Sequence, residues 1–365
     1  MNVSLRNLKT HLNIIILVGL FAFVSSCDKS EPIVPPVIVE LPSYLKACDL
    51  SFLPEMRLDG VAFKNTEGQL EDPLETLKKQ GMNAVRLRLW NGQNGLNTLE
   101  NVKTYSDEIK SKGLLTWITV HYSDTWADPG SQTKPASWSN ASFEVLKDSI
   151  YEFTYKAVLK LKPDYIQIGN EINSGLLWPE GHSNNSFQMR ALLAEGIRAC
   201  RNASPATKII IHYAGYQYAS IFYAGLQNLN YDIIALSYYP IWHGKDMKDL
   251  ENKMIDLKET YKKEVIIAET SYPFTFDWAD WTNNIIGGNN QIVPTIPATA
   301  DGQKVFLTTL NNHIKQAEGF GWCYWGAEWV ASKGDQASNG SSWENQALWD
   351  FDFKALPAVT TFKAD

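Results

Sequence analysis

The chain has 365 residues, with 33 Lys and Arg against 40 Asp and Glu and a formal net charge of −7. A hydrophobic share of 44% supports a large buried core and argues against a mostly disordered chain, while the negative balance argues against a nucleic-acid partner, which needs a basic face. Aromatic residues reach 12%, with 13 Trp, and many stand beside Asn, Gly, Asp and Glu, so they belong either to a ring-rich core or to a stacking surface.

Residues 1–26 read as an export signal. Arg6, Lys9 and His11 form a basic start, and residues 13–24 form an apolar stretch too short for a membrane-spanning helix. Val24-Ser25-Ser26-Cys27 resembles a bacterial lipobox, which predicts lipidation at Cys27. Residues 27–42, with Pro32, Pro35 and Pro36, read as an extended tether, and residues 43–365 as one catalytic domain. The expected protein is exported and held at the outer membrane and cell surface through that lipid alone. Cys48, Cys200 and Cys323 fit no metal or redox spacing and predict buried thiols, with at most one disulfide.

From about residue 46 the chain alternates short β-like runs with helical stretches. The runs end near Phe52, Trp90, His121, Glu171, Tyr213, Tyr239, Glu269 and Trp325. Helices are expected over 72–80, 99–112, 143–161, 187–202, 216–228, 246–262 and 303–317, with Asp72-Pro73 as a start signal and Gly81 and Gly113 as stops. This order predicts an α/β fold, a (β/α)8 barrel. A doubly wound open sheet is the alternative, but its Gly-rich phosphate turn is missing. The longest irregular stretch, 271–301, follows the seventh run, where so long a loop is usually functional.

Barrel chemistry sits at the C-terminal ends of strands. Asn170-Glu171 ends the fourth run and Glu269 ends the seventh. Two facing carboxylates suit glycoside hydrolysis, one protonated to donate to the leaving oxygen and one ionised to attack the sugar or activate water. Alternation places Gln167, Gly169 and Glu171 on one face and Val265, Ile267 and Glu269 on one face. Arg86 and Arg88 share a face of the second run and point into the barrel, where each needs an acceptor. Arg86 reads as a structural ion pair, and Arg88, nearer the strand end, as the group that keeps the nucleophile ionised.

These residues, with their flanks, resemble glycoside hydrolase family 53 of clan A. The similarity is carried by residues 48–55 (CDLSFLPE), 81–91 (GMNAVRLRLWN), 121–130 (HYSDTWADPG), 168–181 (IGNEINSGLLWPEG), 267–273 (IAETSYP), 321–330 (GWCYWGAEWV) and 343–351 (WENQALWDF). The resemblance implies a retaining arabinogalactan endo-β-1,4-galactanase with Glu171 as acid/base and Glu269 as nucleophile, and no cofactor for catalysis. It also implies that Asn170 bonds the 2-hydroxyl of the attacked sugar, and that Tyr238 or Tyr239 bonds Glu269.

Trp90, Tyr122, Trp126, Trp242, Trp325, Trp329 and Trp349 fall at or after strand ends, where rings pack on sugar C–H faces. Trp90 and Trp325 are the expected stacking platforms, His121, Asp124 and Asn173 the polar partners, and Trp117 a core residue. Bacterial members clamp the long loops after strands seven and eight with structural calcium. Motif alignment places that site at Asp280, Asn284, Ser341 and Glu344, with Asp277 as a substitute ligand, although Thr282 and Glu344 depart from the family pattern. The expected partner is β-1,4-galactan or arabinogalactan, and the expected state a monomer. The alternatives are another clan A retaining endo-glycanase (mannanase, xylanase or cellulase) and a non-catalytic surface glycan-binding lipoprotein.

Overall fold

The computed structural model describes residues 41–363. The export signal, Cys27 and nearly all of the tether therefore lie outside the described residues. Eight parallel strands close on themselves in sequence order: β1 (Leu45–Asp49), β2 (Ala84–Leu89), β3 (Leu115–Val120), β4 (Tyr165–Ile168), β5 (Lys208–Ala214), β6 (Ile233–Ser237), β7 (Glu264–Thr270) and β8 (Gly321–Tyr324). Closure joins Leu45 to Gly321. Only glycine serves there, because its φ is 137° and a Cβ would lie 2.0 Å from the Leu45 carbonyl oxygen.

The helices follow their start signals. Asp72 caps Pro73–Lys79 by accepting from Leu74 N, Thr98 caps Leu99–Ser111, and Ser142 caps Phe143–Leu161. Ser186–Ala203, Met247–Tyr261 and Ala300–Gln316 complete the long helices. The helix expected over 216–228 is only Ala219–Ala224, and the chain leaves it at Gly225. Strand residues such as Val85, Leu87, Ile166, Ile168, Val265 and Ile267 join one apolar core. Stretch 271–301 is an ordered loop that buries Ile286, Ile292, Val293 and Ile296, and the Tyr272 hydroxyl donates to Ile296 O at 2.6 Å. Cys48, Cys200 and Cys323 are buried free thiols.

Two local irregularities aim the Glu171 and Glu269 carboxylates, and strict alternation misses both. Chain β7 carries one extra residue against both neighbours: Leu236 pairs with Ile267 but Ser237 with Glu269, and the β8 register shifts over the same stretch. This bulge separates Glu269 from Val265 and Ile267 and turns its carboxylate into the barrel. Strand β4 stops at Ile168, and Gly169 (φ 79°) and Glu171 (φ 47°) both take left-handed backbone. That break, rather than alternation, presents Asn170 and Glu171 together. A glutamate in the left-handed region is strained, and such strain persists only where the surroundings enforce it.

Candidate active site

A cleft of about 640 Å³ opens at the C-terminal ends of the strands. Glu171, Glu269, Arg86, His121, Asn170, Tyr239 and five Trp (Trp126, Trp242, Trp325, Trp329 and Trp343) are among the residues that line it.

Arg86 organises its floor. Fully buried, it places Nη1 2.8 Å from Asp49 Oδ2, while Nη2 reaches Glu269 Oε1 and Asn170 Oδ1, each at 2.8 Å. The register that sets Asp49 beside Arg86 fixes the first of these pairs. The Tyr239 hydroxyl donates to Glu269 Oε2 at 3.2 Å. Burial raises the Glu269 carboxyl above its ordinary range, and the Arg86 charge opposes that rise. Among the described residues Glu171 meets no cation within bonding distance, and its one side-chain partner is Ser237 Oγ at 2.5 Å. Desolvation first, then the nearby Glu269 charge, push the Glu171 carboxyl up to about 8.

Hence Arg86 forms the buried ion pair expected of it, with Asp49, and also takes the place beside Glu269 that was expected of Arg88. Arg86 neutralises Glu269, whereas Arg88 makes no side-chain hydrogen bond among the described residues, with Nε and Nη1 buried and unpartnered. Its guanidinium lies over Trp126 at 3.9 Å, Phe52 at 4.5 Å and Trp90 at 5.3 Å. Burial pushes its pKa down to about 10, so it remains charged at neutral pH. Position along β2 was a poor guide because Asp49, unseen in the sequence pattern, anchors the inner arginine.

Other expected residues divide sharply. His121 lines the cleft with Nδ1 accepting from Ala127 N at 3.0 Å, and burial with the Arg88 charge keeps its ring neutral. Asn170 donates one Nδ2 hydrogen to Ala127 O at 2.9 Å, leaving the other for a ligand. Asn173 lines the cleft and exchanges hydrogen bonds with the Ala214 backbone.

Trp325 and Trp126 also line it, whereas Trp90 does not: half-buried, it stands edge-on to Trp126 at 5.7 Å. Tyr122 and Trp349 must be corrected, since neither retains surface for a sugar. The Tyr122 hydroxyl meets Thr154 Oγ1, and the Trp349 ring packs edge-on to Phe63 while its N–H donates to Lys64 O. Tyr238 stacks on Phe306, leaving Tyr239 as the partner of Glu269. Asp124 is exposed and outside the cleft lining, and it accepts from Ala136 N. Trp117 is core, as expected.

Residues that the sequence reading missed include Asp49, Asp128, His212, Ser237, His243 and Trp343. For His212 a signal existed: a lone imidazole among Ile209, Ile210, Ile211 and Tyr213 is a polar group that a buried strand must satisfy.

In the loops after β7 and β8, Asp280 Oδ2, Asn284 Oδ1 and Glu344 Oε2 are buried without a hydrogen-bond donor among the described residues. Burial raises the Glu344 carboxyl, and Asp280 adds to the rise. Ser341 Oγ is committed to Trp329 O at 2.7 Å, and the Asp277 side chain is exposed and turned to Thr275.

An eight-stranded parallel barrel with two carboxylates in an aromatic cleft at its C-terminal face defines a glycoside hydrolase. The family model for glycosyl hydrolase family 53 matches residues 45–362, and the chain belongs to that family. It is 33% identical to an arabinogalactan endo-β-1,4-galactanase of Cellvibrio japonicus over 89% of this chain and 91% of that one. It is 28% identical to an endo-β-1,4-galactanase of Bacillus subtilis over 88% and 85%. Among solved structures, the GH53 catalytic domain of Ignisphaera aggregans superposes with a TM-score of 0.82 at 34% identity, over 89% of this chain and 97% of that one.

Proposed function

We propose that this protein is a retaining endo-β-1,4-galactanase that cleaves internal bonds of the (arabino)galactan side chains of pectin. The reading rests on the unequal surroundings of its two cleft carboxylates. Glu269 is held by Arg86 and Tyr239, which favour the ionised form, and it serves as the nucleophile. Glu171, pushed up to about 8, holds a proton at neutral pH and serves as the acid. Glu171 protonates the glycosidic oxygen as Glu269 attacks the anomeric carbon. Once ionised, Glu171 takes a proton from water, and the covalent galactosyl-enzyme is hydrolysed. Trp126 and Trp325 supply faces for sugar C–H surfaces, and the free Asn170 N–H serves the 2-hydroxyl. Galactan as substrate is supported by the galactanases to which the chain is similar over most of its length.

The test is digestion of debranched β-1,4-galactan, followed by product chromatography and NMR of the first-formed anomers. Oligosaccharides of retained configuration are expected, and release of none would refute the proposal. Azide added to Glu171→Ala should yield a β-galactosyl azide, while an α-azide would exchange the two roles.

A structural calcium ion is part of the proposal. The three unpartnered oxygens of Asp280, Asn284 and Glu344 form a hard donor set that fits it, and Ser341 retains an oxygen lone pair. Such an ion would pin the β7 loop to the β8 loop and take no part in catalysis. A lower melting temperature in chelator, restored by calcium alone, is the expected result. Export and lipid anchoring at Cys27 complete the reading. Labelled fatty acid should enter the wild type and not Cys27→Ser, and protease shaving of intact cells should remove the enzyme.

A further inference from the structure

A polar chain behind Glu171 takes no part in the mechanism above. His212 is fully buried on β5, with Nε2 2.9 Å from Ser237 Oγ. Ser237, at the end of β6, in turn stands 2.5 Å from Glu171 Oε1. On the far side of the ring, Nδ1 meets two groups of opposite character: the donor Gln167 Nε2 at 3.1 Å and the acceptor Asn170 Oδ1 at 3.2 Å. A neutral imidazole carries one donor and one acceptor nitrogen. Here Nδ1 is satisfied in either tautomer, although a histidine with only a packing role needs one such partner.

We infer that His212 and Ser237 form a relay that positions Glu171 in both of its protonation states, the His212 tautomer following the proton on Glu171. The inference rests on Glu171 being the acid/base. With Glu171 ionised, Gln167 Nε2 donates to Nδ1, Nε2–H donates to Ser237 Oγ, and Ser237 donates to Glu171 Oε1. With Glu171 protonated, the carboxyl donates to Ser237 Oγ, the serine hydroxyl turns to donate to Nε2, and Nδ1–H donates to Asn170 Oδ1. Between these arrangements Glu171 gains or loses one solvent proton. The ring loses a proton at one nitrogen and gains one at the other by exchange with water, and Ser237 keeps its own. No charge enters the relay.

Such a device suits the reaction because Glu171, as the acid/base, alternates between its two protonation states in each turnover. In a desolvated site, a partner lost in either state costs the full desolvation of the abandoned group. The ring remains neutral because burial and the Arg86 charge, with His121 and His243 nearby, disfavour the imidazolium. Glu269 on β7, Arg86 on β2, Asp128 after β3 and Tyr239 after β6 also bear on Glu171. They set the pH at which it titrates; the two-sided contacts of Nδ1 set how the ring responds. His212 and Ser237 are positioning residues, since both act through Glu171.

Ring-nitrogen NMR of the full-length protein labelled with 15N-histidine tests the relay, with the His212 signals assigned by their loss in His212→Gln. The expected pattern is Nδ1–H on the acid side of the alkaline limb of galactan kcat/KM and Nε2–H beyond it, with coincident midpoints. Ser237→Ala should make the tautomer indifferent to pH and lower kcat roughly 10- to 100-fold, the size expected for a lost hydrogen bond to a charged group. Ser237→Thr, which keeps the hydroxyl, should restore both. A single tautomer throughout the wild-type titration overturns the relay. Full galactan hydrolysis by Glu171→Ala overturns the acid/base assignment instead, and the two failures are distinct because the NMR signal does not depend on turnover.

Discussion

Replacing Arg86 by Met tests the electrostatic floor of the cleft. The guanidinium is 2% exposed and bonds Asp49, itself 2% exposed, and Glu269, 6% exposed, each at 2.8 Å. Methionine fills much of the volume but leaves two buried carboxylates without a cation. Removing one partner of a buried pair costs about 3–5 kcal/mol, and here two anions share the loss. For a domain of this size that lowers Tm by roughly 4–8 °C.

The pH dependence has a definite sign. Burial already raises Glu269, and Arg86 opposes the rise, so the variant holds its folded-state pKa further above the unfolded value. The destabilisation is therefore absent below the unfolded carboxylate range, grows as pH rises through it, and is complete above the folded pKa. Urea unfolding of wild type and variant across that range measures the effect. Adding Asp49→Asn should recover part of the loss at neutral pH. A deficit under about 1 kcal/mol at pH 7, or one independent of pH, would refute the account, because a lost ion pair of this burial cannot give either.

Arg88→Met is expected to behave oppositely: with no acceptor to abandon, stability should change by less than about 1 kcal/mol, while galacto-oligosaccharide affinity measured calorimetrically falls. Tyr239→Phe removes the hydroxyl bond to Glu269 and should lower kcat about tenfold while costing about 1 kcal/mol of stability in denaturant melts. The alkaline limb of kcat/KM should fall as pH rises through about 8, since the acid role proposed for Glu171 needs its proton; a pH–rate profile on soluble galactan reads it directly. Tyr122→Phe should cost about 1 kcal/mol in denaturant melts through the Thr154 contact and leave galactan kinetics unaltered, which separates packing from binding at that position.

Much was legible in the chain itself. The start signal at Asp72-Pro73, the stops at Gly81 and Gly113 and the order of apolar runs determined the barrel, because these signals are local and each strand brings its helix with it. That Glu171 and Glu269 line the cleft was legible because both end barrel strands, and strand ends form the open face of a barrel. The tertiary structure decided how those carboxylates are aimed and partnered. The β7 bulge and the left-handed backbone at Glu171 break the two-residue period on which face assignment depends, and such breaks are enforced by neighbouring strands rather than by the residues themselves. The roles of Arg86 and Arg88 depended on Asp49, 37 residues away from Arg86 in the chain but its direct neighbour across the sheet. Trp325 and Trp349 differ in the same way. Both follow β8, but one lines the cleft and the other is sealed beneath Phe63, because the loop path chooses which face of a ring meets solvent.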